Sequence, residues 1–228
     1  VARLSILEML AWASLALAVC SSVAIAADLF RRPQHLWIMN IVWPVTALYA
    51  GPLAAWAYVL FGRASATHDD QGMGHASKPF YVSVGLAATH CGAGCTLGDL
   101  VAEWLIVLFP ALGSSPFKTP MFNAWIVDYV LAYLFGILFQ YFTIAPMRHL
   151  GLGQGLWAAI RADTLTVTAW QVGMYGWMAL AMFVLFGHDI LKMSPVFWFM
   201  MQLAMLCGFV TSYPVNWWLI RVGVKEEM

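Results

Sequence analysis

The sequence predicts an all-α polytopic membrane protein, a single bundle of about six transmembrane helices over residues 1–228. Three observations carry this. Of 228 residues, 62% are hydrophobic and only 10% are charged, where soluble domains carry roughly 25% charge. Mean hydropathy is +0.78. The apolar residues fall into long runs separated by short polar ones, each long enough to cross the hydrocarbon core. The formal net charge is zero, which implies no basic surface for nucleic acid. Trp, Phe and Tyr gather near the run ends, as in interfacial belts.

The first run, Ile6 to Phe30, is closed by Arg31, Arg32 and Pro33. It has about full span length and lacks a small-residue cleavage site followed by polar sequence, so it reads as a helix, not a signal peptide. The second, Leu36 to Phe61, contains Pro44 and Pro52 and is expected to bend. A polar loop from Gly62 to Lys78 follows. The third, Pro79 to Phe109, exceeds the hydrocarbon thickness and must tilt, break or protrude. Pro110 to Pro120 forms a turn, and the fourth run is Met121 to Ala145. Pro146 to Arg161, Gly-rich and amphipathic, is expected to lie in the interface. The last two runs are Thr164 to Phe186 and Val196 to Ile220. Six crossings put Val1 and Met228 on one side. Seven of the 11 Lys and Arg residues fall on that side, so the positive-inside rule makes it the cytoplasmic side.

One stripe within the third run carries the chemistry. Cys91, Cys95, Asp99 and Glu103 recur every fourth residue, with His90 beside the first. A four-residue step keeps side chains on one helical face. Ionisable groups at membrane depth are costly and usually face a bundle interior or a wet cavity. Cys91 and Cys95 are soft ligands suited to Cu(I), with Zn(II) the second choice. His90 points about 100° away and joins them only where the helix is broken. Gly92 and Gly94 offer such a break. Alternatively, Gly94 and Gly98 form a small-residue seam against a neighbouring helix. A reversible disulfide and inert packing are the competing readings, packing being the one expected for Cys20 and Cys207.

Asp99 and Glu103 extend the stripe as a polar path. Glu103 lies seven residues before Pro110, and Asp128 seven after Met121. Antiparallel return therefore sets Glu103 and Asp128 at similar depth, where they would share a proton or hold a cation. The plainer alternative is that they bond Trp125, Tyr129 or Tyr133. The loop residues His68, Asp69, Asp70, Met73 and His75 form a metal-attracting segment that could feed ions to the thiols. His35, His149 and His188 lie near span ends, where solvation is the default. Asn40, Gln140, Gln171, Gln202 and Asn216 are expected to serve helix kinks and packing. No phosphate loop, nucleophile elbow, zincin motif or haem-attachment motif occurs.

The block THCGAGCTLGDLVAEW from Thr89 to Trp104, with TSYPVNWWL from Thr211 to Leu219, resembles an uncharacterised bacterial membrane family, domain of unknown function 4396. The resemblance covers the chain from about Arg32 onward. Family members often carry a more His-rich version of the loop before the Cys pair. That implies metal handling, although only His68 and His75 remain here. The expected function is soft-metal binding, copper above zinc, by His90, Cys91 and Cys95, for carrying or passing on the ion. The alternatives are a proton or cation conductor acting through Asp99, Glu103 and Asp128, an accessory subunit of a larger membrane complex, and a membrane redox protein. Lipid is the expected surroundings, a homo-oligomer or larger complex the possible assembly, and no catalysed reaction is indicated.

Overall fold

The computed structural model describes residues 2–34, 36–63, 79–114, 117, 120–187 and 192–226. The described residues are helical, with no strand among them. We label the helices α1 (Ala2–Arg31), α2 (Met39–Ala50), α3 (Pro52–Ala57), α4 (Phe80–Leu108), α5 (Pro120–Arg148), α6 (Leu152–Ala179) and α7 (Pro195–Arg221). Wider π turns, Tyr58–Gly62 and Leu180–Leu185, extend α3 and α6. Among the described residues, five helices are long and apolar enough to cross a membrane: α1, α4, α5, α6 with its extension, and α7. The chain is thus a polytopic helical membrane bundle.

The expected second span is instead a re-entrant hairpin. α2 ends at Gly51, which adopts φ 54°, ψ −131°, and Pro52 then starts α3. Glycine supplies the positive φ and proline the fresh helix start. Pro44, by contrast, is accommodated inside α2. The two limbs run back along each other. Trp43 packs edge-on against Tyr58 at 5.4 Å between ring centroids, and Gly62 lies directly beneath the Trp43 indole. A straight helix would separate residues 43 and 62 by roughly 28 Å. Arg63 closes the return limb with a two-pronged ion pair to Asp28 of α1, at 3.0 and 3.1 Å, and Tyr58 Oη donates to the same carboxylate. At the tip, Gln202 Nε2 donates to the Leu48 carbonyl while its Oε1 accepts from Ser14 of α1.

This hairpin corrects the topology. Ile25 and Leu29 of α1 pack with Val82 and Leu86 near the start of α4, whereas the middle of α1 meets the first half of α7, with Ser14 bonded to Gln202 and Leu15 beside a pocket shared with Trp198 and Met201. α1 and α7 therefore run in the same direction, and α1 begins at the bundle end opposite to where α7 finishes. The start of α1 and the end of α7 thus lie at opposite ends of the bundle, because residues 39–62 enter and leave by the same end. The interfacial segment expected at Pro146–Arg161 is likewise absent. Those residues finish α5 and begin α6, joined by a short connection in which His149 takes φ 50°. α6 thus starts twelve residues before the expected Thr164.

Reporter fusions to the two chain ends should localise to opposite faces of the membrane. Fusions that report one common face would overturn the five-crossing topology.

Candidate functional site

The site is built along α4. It is one uninterrupted α-helix, with no opening at Gly92–Gly94. The small residues are filled from outside instead. A Cβ on Gly94 would stand 3.0 Å from the Gly136 Cα, and Gly98 abuts the backbone of Ala132. Gly92 lies under Trp170. Each glycine costs about 1 kcal/mol of helix propensity, which close backbone approach offsets. Of the two readings for these glycines, the seam is the one found. Its antiparallel register, 94 against 136 and 98 against 132, sets Asp128 level with Ala102 and Glu103.

The polar stripe faces inward. Cys91, Cys95 and Asp99 are fully buried, and Glu103 and Asp128 nearly so. Opposite them stands a second stripe that sequence reasoning missed. α6 runs parallel to α4 and carries Asp163, Val167, Gln171 and Tyr175, again at four-residue steps. Gln171 Nε2 donates to Asp99 Oδ1 at 2.9 Å. Asp163 lies close enough to Cys91 and Cys95 to act on both electrostatically, and the two thiols adjoin each other. Its Oδ2 stands over Gly136, where a Cβ would come within 3.2 Å. Parallel pairing with a constant offset of 72 residues links Cys91 to Asp163 and Asp99 to Gln171.

Lysines occupy both ends of this column. Lys225, just beyond α7, donates from Nζ to Asp163 Oδ1 at 3.0 Å, and both side chains are 0% exposed. Burial disfavours its charge. Asp163 and the nearby thiols more than offset this and hold the ammonium above its ordinary pKa range, so it stays charged at neutral pH. At the other end Lys192 pairs with Glu103 and lies within electrostatic reach of Asp128, as does Glu103. A cavity of about 450 Å³ adjoins this end, lined by Glu103, Lys192, Trp125, Met178, Met182 and Phe197 among others.

The charges do not balance. Lys225 matches Asp163, and Lys192 stands against two carboxylates. Asp99 has an amide partner only. Three carboxylate oxygens, Asp99 Oδ2, Asp128 Oδ1 and Asp163 Oδ2, are buried with no hydrogen-bond donor among the described residues. An unpaired buried charge is expensive, so such groups need a proton or a cation.

Several expected partners lie elsewhere. His90 shares a 2.8 Å hydrogen bond with Thr143 of α5, consistent with an unbroken α4 that turns its ring away from the thiols. No group of three His, Cys, Asp or Glu side chains poised for a metal occurs among the described residues. Tyr129 and Tyr133 bond Thr168 and Thr164 rather than carboxylates, and Trp125 gives its carbonyl to Tyr175 Oη. Gln171 belongs to the column, not to packing. His68, Asp69, Asp70, Met73, His75, His35 and His188 lie outside the described residues. Cys20 is exposed on α1 and Cys207 is half-buried. Asp163 escaped notice because the fifth span was drawn from Thr164, one residue too late to include it. A single acid in a helix-period apolar run was the signal available.

Fold and site together define a helical membrane protein with an ionisable interior column. The matching family model, domain of unknown function (DUF4396), covers residues 81–225. The chain therefore belongs to the DUF4396 family. The match takes in α4 to Lys225 and leaves α1 and the hairpin outside, where the sequence resemblance was expected to reach back to Arg32. No curated protein and no solved structure matches the chain.

Gly98→Leu should lower the thermal midpoint in detergent markedly, since overpacking a seam costs about 1–3 kcal/mol or more. Gly85→Ala, whose added Cβ would meet only Tyr213 at 3.9 Å, should leave it nearly unchanged. Equal midpoints for both variants and the parent would contradict the α4–α5 seam.

Proposed function

We propose that this protein conducts protons or small cations along the column between α4 and α6. The observation that carries the reading is Asp99. It is fully buried, receives one hydrogen bond from Gln171, and has a second oxygen with no donor among the described residues. Carboxylates held this way within membrane helices are typical of ion and proton pathways. Asp163 and the thiols stand on one side of it and Glu103, Asp128 and the cavity on the other, which supplies successive exchange sites through the bundle. Seven described Lys and Arg residues gather at the Lys225 end: Arg31, Arg32, Arg63, Arg148, Arg161, Arg221 and Lys225. Arg3 and Lys192 are at the other. By the positive-inside rule the Lys225 end faces the cytoplasm, and the resemblance to bacterial proteins favours a bacterial inner membrane.

A second reading is supported by the adjoining, fully buried thiols of Cys91 and Cys95. They would hold a soft ion, Cu(I) before Zn(II), with His90 turned to α5. Bound cation offsets the cost of thiolate charge in a low dielectric. Copper in purified protein that disappears in Cys91→Ala/Cys95→Ala supports this reading, and metal-free wild type removes it.

Flux into liposomes tests the first reading. With an imposed membrane potential and an internal pH or cation indicator, wild type should exceed empty vesicles. Asp99→Asn should reduce the flux at least tenfold, whereas Glu8→Gln on the exposed face of α1 should not change it. Wild-type vesicles no leakier to H⁺, Na⁺ or K⁺ than empty ones, or full flux in Asp99→Asn, would overturn it.

A further inference from the structure

The tail after α7 is built to deliver a charge inward. Gly223 adopts φ 72°, and the backbone N–H groups of Val224 and Lys225 both bond back to the Leu219 carbonyl, at 3.0 and 3.2 Å. This left-handed turn caps the helix and aims residue 225 back into the bundle instead of out to solvent. Glu226, the next residue, stays at the surface and pairs with Arg148 of α5. An outer clasp thus holds an inner ammonium.

That ammonium sits where a mobile ion would sit. Lys225 Nζ takes one oxygen of Asp163. The other oxygen, Oδ2, is buried without a donor among the described residues, and Cys91 and Cys95 adjoin the same carboxylate. A fully buried carboxylate with one oxygen left open calls for a proton or a cation. We propose that Asp163 is a cation-exchange position at this end of the column, with the thiols of Cys91 and Cys95 beside it, and that Lys225 is its tethered occupant, so that withdrawal of the C-terminal turn opens this end of the column. The proposal rests on the conduction reading for its purpose but not for its test. An ion reaching Asp163 from the Lys225 end must displace the ammonium, and the surface pair of Arg148 with Glu226 governs how readily the turn lets go.

The test is thiol accessibility, read by mass spectrometry at each cysteine without any flux assay. Cationic and neutral methanethiosulfonate reagents are applied to wild type, Lys225→Ala and Glu226→Gln in lipid nanodiscs. In wild type, Cys91 and Cys95 should be protected. In Lys225→Ala, the cationic reagent should modify them at least tenfold faster and outpace the neutral one. In Glu226→Gln, where Lys225 remains, modification should be intermediate. Asp163→Asn in the Lys225→Ala background should erase the preference for the cationic reagent. That double variant also removes both buried charges and so keeps the experiment readable where Lys225→Ala alone misfolds: it should then label with no charge preference. Equal protection of Cys91 and Cys95 in wild type and in every variant, or labelling of Lys225→Ala indifferent to reagent charge, would overturn the site. Flux abolished by Asp99→Asn with no change in labelling would sink this proposal and leave the conduction reading standing.

Discussion

The carboxylates of α4 cannot face lipid, and the rest of the bundle follows from that constraint. Exposing an acid at the bilayer centre costs several kcal/mol even on insertion scales, about 2.5–3.5 for Asp. Two acids and two thiols share one face of α4, so that face must be roofed. α6 supplies the roof with a stripe of the same four-residue period, so that Asp163 meets Cys91 and Gln171 meets Asp99. α5 closes the flank, and it comes close enough because Gly94, Gly98, Ala132 and Gly136 remove side-chain bulk where the two backbones cross.

The re-entrant hairpin serves the same end. Tyr49, near its tip, packs edge-on against Trp170 at 5.7 Å between ring centroids and belongs to the apolar cluster around Cys91 and Cys95. A half-membrane element with exposed backbone at its turn is tolerated only where protein surrounds it. Here Ala18 of α1 lies within 4 Å of the position a Gly51 Cβ would take, and Gln202 takes up the Leu48 carbonyl. The two lysines, one on the C-terminal turn and one ahead of α7, then supply positive charge to a column that the helices alone would leave strongly negative.

Much of this was legible in the sequence, and the failures have physical reasons. The limits of α4 and the levelling of Glu103 with Asp128 follow from helix period and hairpin symmetry, which are local rules. The inward stripe follows from solvation cost alone. The hairpin was missed because hydropathy measures the length of an apolar run and not its direction. Gly51 next to Pro52 was the local sign, outweighed by a run of span length. The α4 glycines were ambiguous because propensity favours a break and packing favours a seam, and only the neighbour's sequence, with Ala132 and Gly136 on α5, decides. Lys225 stands in the sequence as one tail lysine among the basic residues that set orientation. Nothing within the chain's local pattern says that a tail lysine folds back beneath its own helix, beyond the glycine two residues earlier.

A cryo-electron microscopy map of the protein in a lipid nanodisc would test the central claim most directly. The account predicts α4 with Cys91, Cys95, Asp99 and Glu103 facing α6, and density for water or a bound ion on Asp99 Oδ2, Asp128 Oδ1 and Asp163 Oδ2. A map in which this stripe faces lipid, or in which all three oxygens are satisfied by protein donors in a dry core, would contradict it.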